Sequence, residues 1–145
     1  MRGIKLLLVA SASVSLACAG SGAAVGSNNS SGTKVVAIDQ DFGLSQGETA
    51  AIDGGALTVN FVKVAEDSRC PTGVQCVWAG NGAASLTIAP SGASKFSVTL
   101  NTMLTPRTAT ASSYSVSLVG LEPYPKQGST IPAASYIATL RITRQ

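Results

Sequence analysis

Leu57-Thr58-Val59-Asn60-Phe61-Val62-Lys63-Val64 is the stretch that decides the fold class. Leu57, Val59 and Phe61 recur at every second position with polar residues between them, which places them on one face of an extended strand. Val62 and Val64 fall on the opposite parity. The strand therefore either bulges near Phe61 or is buried on both faces toward its end.

The same period of two recurs on either side. Upstream, Val35-Val36-Ala37-Ile38, Phe42-Gly43-Leu44 and Thr49-Ala50-Ala51-Ile52 read as short strands separated by Asp39-Gln40-Asp41, Ser45-Gln46-Gly47-Glu48 and the hairpin signal Asp53-Gly54-Gly55. Downstream, Trp78, Gly80, Gly82, Ala84, Leu86 and Ile88 keep one parity and predict a long strand, whose glycines permit close backbone approach. Phe96, Val98 and Leu100 alternate with polar residues, as do Tyr114, Val116 and Leu118, and finally Tyr136, Ala138, Leu140 and Ile142. Asn101 to Ser112 has no usable period, and Pro123 and Pro125 end the strand before them. No window after the amino-terminal region has a helical period. The expectation is an all-β protein, an antiparallel β-sandwich of about seven to eight strands, with a small closed β-barrel as the alternative.

A chain of 145 residues has room for one ordinary core. Apolar residues make up 45% of it while aromatics are only 5%, so that core must be built mostly from aliphatic side chains. Met1-Arg2-Gly3-Ile4-Lys5 followed by an apolar run from Leu6 to Leu16 has the form of an export signal, too short to span a bilayer. Ser15-Leu16-Ala17-Cys18 resembles the lipobox of bacterial lipoproteins, although Ser15 stands where that family usually has an aliphatic residue. The resemblance implies acylation at Cys18; cleavage before Gly20 by an ordinary signal peptidase is the alternative. The expected organisation is thus a signal over 1–17, a Gly/Ser/Ala tether over 18–33 and a β domain over 34–145. Lipid-anchored in the envelope is the expected location, with a periplasmic or secreted soluble protein as the alternative.

Two cysteines remain, Cys70 and Cys76, in Asp67-Ser68-Arg69-Cys70-Pro71-Thr72-Gly73-Val74-Gln75-Cys76-Val77-Trp78-Ala79-Gly80. In an exported chain they are expected to form a disulfide, since acylation of Cys18 leaves them as a self-contained pair. A redox pair or metal site is the sharper alternative, but a redox pair wants two cysteines two apart at a helix start, and thiolate metal sites want more ligands. Glu66, Asp67 and Arg69 read as an ion pair or turn cap that orients the loop. Arg69, Pro71, Thr72, Gly73, Val74, Gln75 and Trp78 are the candidate binding residues, held in place by the bridge. Trp78 is expected to pack in the core against that bridge, with exposure as a ligand platform as the alternative.

The block Asp67-Ser68-Arg69-Cys70-Pro71 with Cys76-Val77-Trp78-Ala79-Gly80, together with Leu118-Val119-Gly120-Leu121-Glu122-Pro123-Tyr124-Pro125 and Tyr136-Ile137-Ala138-Thr139-Leu140, resembles an uncharacterised group of bacterial secreted proteins and lipoproteins. That resemblance implies an envelope location and a compact β domain. It carries over no catalytic residue.

Composition excludes several chemistries. The chain has no histidine, so catalytic arrangements built on imidazole are impossible. Outside Arg2 and Lys5, eight of the ten basic residues face seven acidic ones, and they are scattered singly, which excludes a nucleic-acid interface. The close carboxylates Asp39/Asp41 and Glu66/Asp67 lack the large loops of a glycosidase cleft. Asp39, Asp41 and Asp53 offer at most a weak calcium site, better explained as turn formers. Gly80-Asn81-Gly82 lacks the helix a phosphate loop needs. No cofactor and no catalytic residue is expected. The expected function is a non-enzymatic envelope binding or structural module that uses the disulfide-held loop toward a protein or glycan, with inhibition of an extracellular hydrolase by the same loop as the alternative.

Overall fold

The computed structural model describes residues 32–145, so the expected export signal over 1–17, Cys18 and most of the expected tether lie outside the described residues. Nine strands form two sheets: β1 (Thr33–Val36), β2 (Asp41–Ser45), β3 (Thr49–Ile52), β4 (Leu57–Asp67), β5 (Gly82–Pro90), β6 (Phe96–Asn101), β7 (Thr108–Ala111), β8 (Tyr114–Glu122) and β9 (Ile137–Arg144). One sheet has the order β1-β3-β4-β5-β6 and the other β2-β9-β8-β7, a sandwich with open edges rather than a closed barrel.

The alternating residues meet between the sheets. Leu57, Val59 and Phe61 of β4 and Leu86 and Ile88 of β5 are fully buried, as are Leu44, Val116, Leu140 and Ile142 from the facing sheet. Phe42, Leu118 and Ala138 complete that inner surface. β4 slips register between Phe61 and Lys63, and again between Val64 and Glu66. These bulges put Val62 outside, which resolves the change of parity seen in the sequence.

Three expectations need correction. The sheets are not wholly antiparallel, because β1 pairs parallel with β3. The chain crosses to the other sheet for β2 and returns for β3, and two reversals bring β1 and β3 into the same direction. The loop from Asn101 to Ser112 contains β7, hydrogen-bonded to β8, bringing the count to nine. Its inward residues are Ala109 and Ala111 between threonines, a contrast too weak to read as a strand. Phe96, expected inside, is exposed at the start of an edge strand.

Leu140 sits opposite both Phe42 and Leu118 in the second sheet and is fully buried. Leu140→Ala is expected to destabilise the fold by about 2–5 kcal/mol in equilibrium denaturation, read as a lower midpoint with an unchanged slope.

Candidate functional site: a braced apolar loop end

β4 and β5 do not end in a simple turn. Their ladder runs on past Asp67 and Gly82 through backbone bonds from Ser68 to Asn81 and from Cys70 to Ala79, 2.8 and 2.9 Å long. The ring closed by the Cys70–Cys76 disulfide stands on that extension. Gly80 makes it possible. Its φ is +72°, and a Cβ built there would lie 1.8 Å from the Ser68 carbonyl oxygen. This is why the long strand expected from Trp78 onward begins only at Gly82: positive φ at Gly80 breaks the extended run.

Arg69 fastens this extension to the opposite sheet. Its guanidinium donates from Nε and Nη2 to both carboxylate oxygens of Asp67 at 2.7 Å, from Nη2 to the Pro123 carbonyl at 2.9 Å, and from Nη1 to the Leu121 carbonyl. The Tyr136 hydroxyl donates to Asp67 Oδ2 at 2.9 Å, and the Tyr124 ring lies 4.9 Å from the guanidinium carbon. Asp67 and Arg69 side chains are only 10% and 5% exposed, so this is a nearly buried bidentate pair. Gly82 leaves room beneath it, since a Cβ there would come within 3.2 Å of Arg69 Cδ and Nε.

Burial alone raises the Asp67 pKa, but hydrogen bonds from Arg69 and Tyr136 and the Arg69 charge outweigh it and hold the carboxyl below its ordinary value. Burial likewise pulls Arg69 down, and its bonds to Asp67 more than restore it. Burial and donation to Asp67 push the Tyr136 phenol up.

Asn81, the other buried polar residue among those described, braces a second loop. Its Oδ1 accepts from the Met103 and Leu104 amides at 3.2 and 3.3 Å, while Nδ2 donates to Asn101 Oδ1 at 2.8 Å. No buried side-chain polar atom among the described residues lacks a partner.

What this bracing presents is apolar. Val77 is 89% and Trp78 79% exposed, with Met103 and Leu104 at 60% and 59%. Trp78 thus does not enter the core, because the positive φ at Gly80 and the extended ladder carry it past the end of the sandwich. Trp78, Met103 and Leu104 line one open depression of about 430 Å³. Met103 borders a second of about 300 Å³ beside Tyr124 and Arg107. Across the disulfide, Val74, Val77 and Trp78 line a third. The third adjoins the first through Trp78 and Ala79, and the first adjoins the second through Ala79, Gly80 and Met103.

The sequence-derived site residues divide accordingly. Val74 and Trp78 reach this surface, and Gln75 lies on its edge. Pro71 and Gly73 shape the loop, with φ +86° at Gly73. Thr72 is tied down: its amide donates to the Pro125 carbonyl and it bridges to Lys126. Arg69 is structural rather than presented. Sequence reading missed Val77, Met103 and Leu104 as surface residues, and Asn81 as the brace, although the apolar pair Met103-Leu104 within a polar connection was a visible signal. Asp41 and Asp53 do not converge on a cation, since each is paired with its own arginine, Arg141 and Arg144 respectively. Among the described residues no group of three or more carboxylates and cysteines is placed to hold a metal ion.

No family model matches the chain, and neither a curated protein nor a solved structure is significantly similar to it. The function must be read from this geometry.

Because the Asp67 pKa is depressed by folding, its contribution to stability is full above the unfolded carboxylate value of about 4 and lost as pH falls through the lower folded value. Denaturation curves across that window should show the loss in the native chain. Asp67→Asn should abolish that pH-dependent component and cost about 3–5 kcal/mol at neutral pH, by leaving Arg69 buried and unpaired. Gly80→Ala should destabilise by more than about 1 kcal/mol from backbone strain alone, with faster amide exchange at Cys70 and Ser68 as its local signature.

Proposed function

We propose that the protein is a non-enzymatic module of the bacterial cell envelope, anchored through a lipid on Cys18, whose braced loop end is its contact surface. The observation that carries this reading is the exposure of Val77 and Trp78 on a backbone held by a disulfide, a buried ion pair and a buried asparagine. Apolar side chains standing free on a mobile loop are unremarkable. Here Trp78, Met103 and Leu104 line one depression and Val77 adjoins Trp78 in the next, a pattern associated with binding surfaces. The disulfide is compatible with an oxidising, exported location. No helix among the described residues is long and apolar enough to cross a membrane.

Contact is centred on Val77, Trp78, Met103 and Leu104 more than on the ring residues Pro71 to Gln75. A photo-crosslinking amino acid at position 77 should give adducts in the native envelope well above those from position 97, an exposed site on the outer face of β6. Equal, background-level yields from the two positions would remove the loop end as a contact surface. Acylation is checked separately by the intact mass of the protein from membranes.

A further inference from the structure

We propose that the surface formed by Val77, Trp78, Met103 and Leu104 docks on the lipid bilayer itself, so that the domain sits loop end down on its own membrane. The proposal rests on the envelope reading above for the side from which the chain is tethered, and goes beyond it in naming the occupant.

Three observations favour a bilayer. The first is the direction of the chain. Thr33 is in register with Thr49, and Thr49 with Asn60, while β4 runs from Asn60 to Asp67 at the braced end. Followed from Val36 back to Thr33, β1 therefore points toward that end, and the residues before Gly32 join the domain on this side. Asn60 to Asp67 spans about 23 Å of strand. Fourteen residue-to-residue steps separate Cys18 from Gly32, and covalent geometry limits their reach to at most about 46–50 Å, which exceeds that distance. An acylated Cys18 thus sets the bilayer within reach of the loop tips.

The second is the chemistry of the tips. An indole with a valine, a methionine and a leucine around it suits the interfacial zone, where an amphipathic ring and short aliphatic groups are buried shallowly. The flanking charges are mixed, Glu66 beside Trp78 and Arg107 with Glu122 beside Met103, so docking needs no anionic lipid. The third is size. A stable protein interface engages roughly 20–30 residues a side. Four apolar side chains on two adjacent loop tips fall short of that, whereas a membrane asks only that the tips reach one plane.

Trp78 is the only tryptophan, so its fluorescence reports directly on the site. The exported protein is placed with phosphatidylcholine vesicles carrying brominated acyl chains, and Trp78 is probed with iodide from the aqueous side. Docking predicts a blue-shifted emission, quenching by the brominated chains and shielding from iodide, at low and moderate salt alike. A Met103→Ser/Leu104→Ser variant, or Val77→Ser alone should the first fold poorly by circular dichroism, should shift the docking equilibrium on the order of tenfold toward the free form.

Iodide-accessible, lipid-unquenched Trp78 in protein whose mass shows acylated Cys18 would overturn docking and leave the anchored module standing. Lipid quenching in protein without acyl groups would support docking and remove the anchor. A blue shift that follows protein concentration without lipid would assign the surface to a second copy and overturn the proposal, as would adducts from position 77 with protein but never with lipid.

Discussion

The bidentate pair between Asp67 and Arg69 is the constraint on which the braced loop end of this molecule depends. Asp67 ends β4 in the five-stranded sheet, and Arg69 reaches from the same segment to the carbonyls of Leu121 and Pro123 at the end of β8 in the four-stranded sheet. A single guanidinium thus ties the two layers together where the apolar core runs out. A buried ion pair of this kind contributes little net stability compared with an apolar substitute, but it is costly to break and demanding in geometry. Its effect is to define where the loops lie.

Around that pair the other devices fall into place. The bulges in β4 let the strand run beyond the core, and Gly82 opens the space in which the guanidinium lies. Asn81 holds the adjoining 101–104 segment with three hydrogen bonds, accepting from the Met103 and Leu104 amides and donating to the Asn101 side chain. The disulfide closes the remaining freedom of the tip. Arg69 and Asn81, the two buried polar residues among those described, both serve this one end of the sandwich, while the rest of the interior is built from aliphatic residues with Phe42, Phe61 and Tyr114. Such concentration of directional bonding beneath exposed Val77, Trp78, Met103 and Leu104 is the physical basis for treating that end as a contact surface.

Much of the architecture was legible in advance. The period of two from Leu57 to Phe61, and again at Val116 to Leu118 and Ala138 to Ile142, marked the strands and their inward faces, and the parity break after Phe61 marked the bulge. Trp78 was misplaced for a definite reason. Its parity matched Ala84, Leu86 and Ile88, but parity carries across a chain only while the backbone stays extended, and Gly80 at φ +72° interrupts it. The Ala/Thr strand β7 was missed because methyl groups of alanine and threonine differ too little in polarity to show a period.

The sequence by itself determined the class of fold, the inward residues of most strands and the exclusion of histidine-based chemistry, because alternation and composition act locally and need no partner to be read. Only the tertiary structure decided that Arg69 is a buried tie rather than a presented charge and that Asn81 holds a neighbouring loop. The same folding left Trp78 outside the core with Met103 and Leu104 beside it. Those outcomes depend on which strand ends meet: Arg69 finds Leu121 and Pro123 more than fifty positions away, and Asn81 finds Met103 and Leu104 more than twenty away. Such contacts are created by the packing of two sheets, and no local pattern in the chain encodes them.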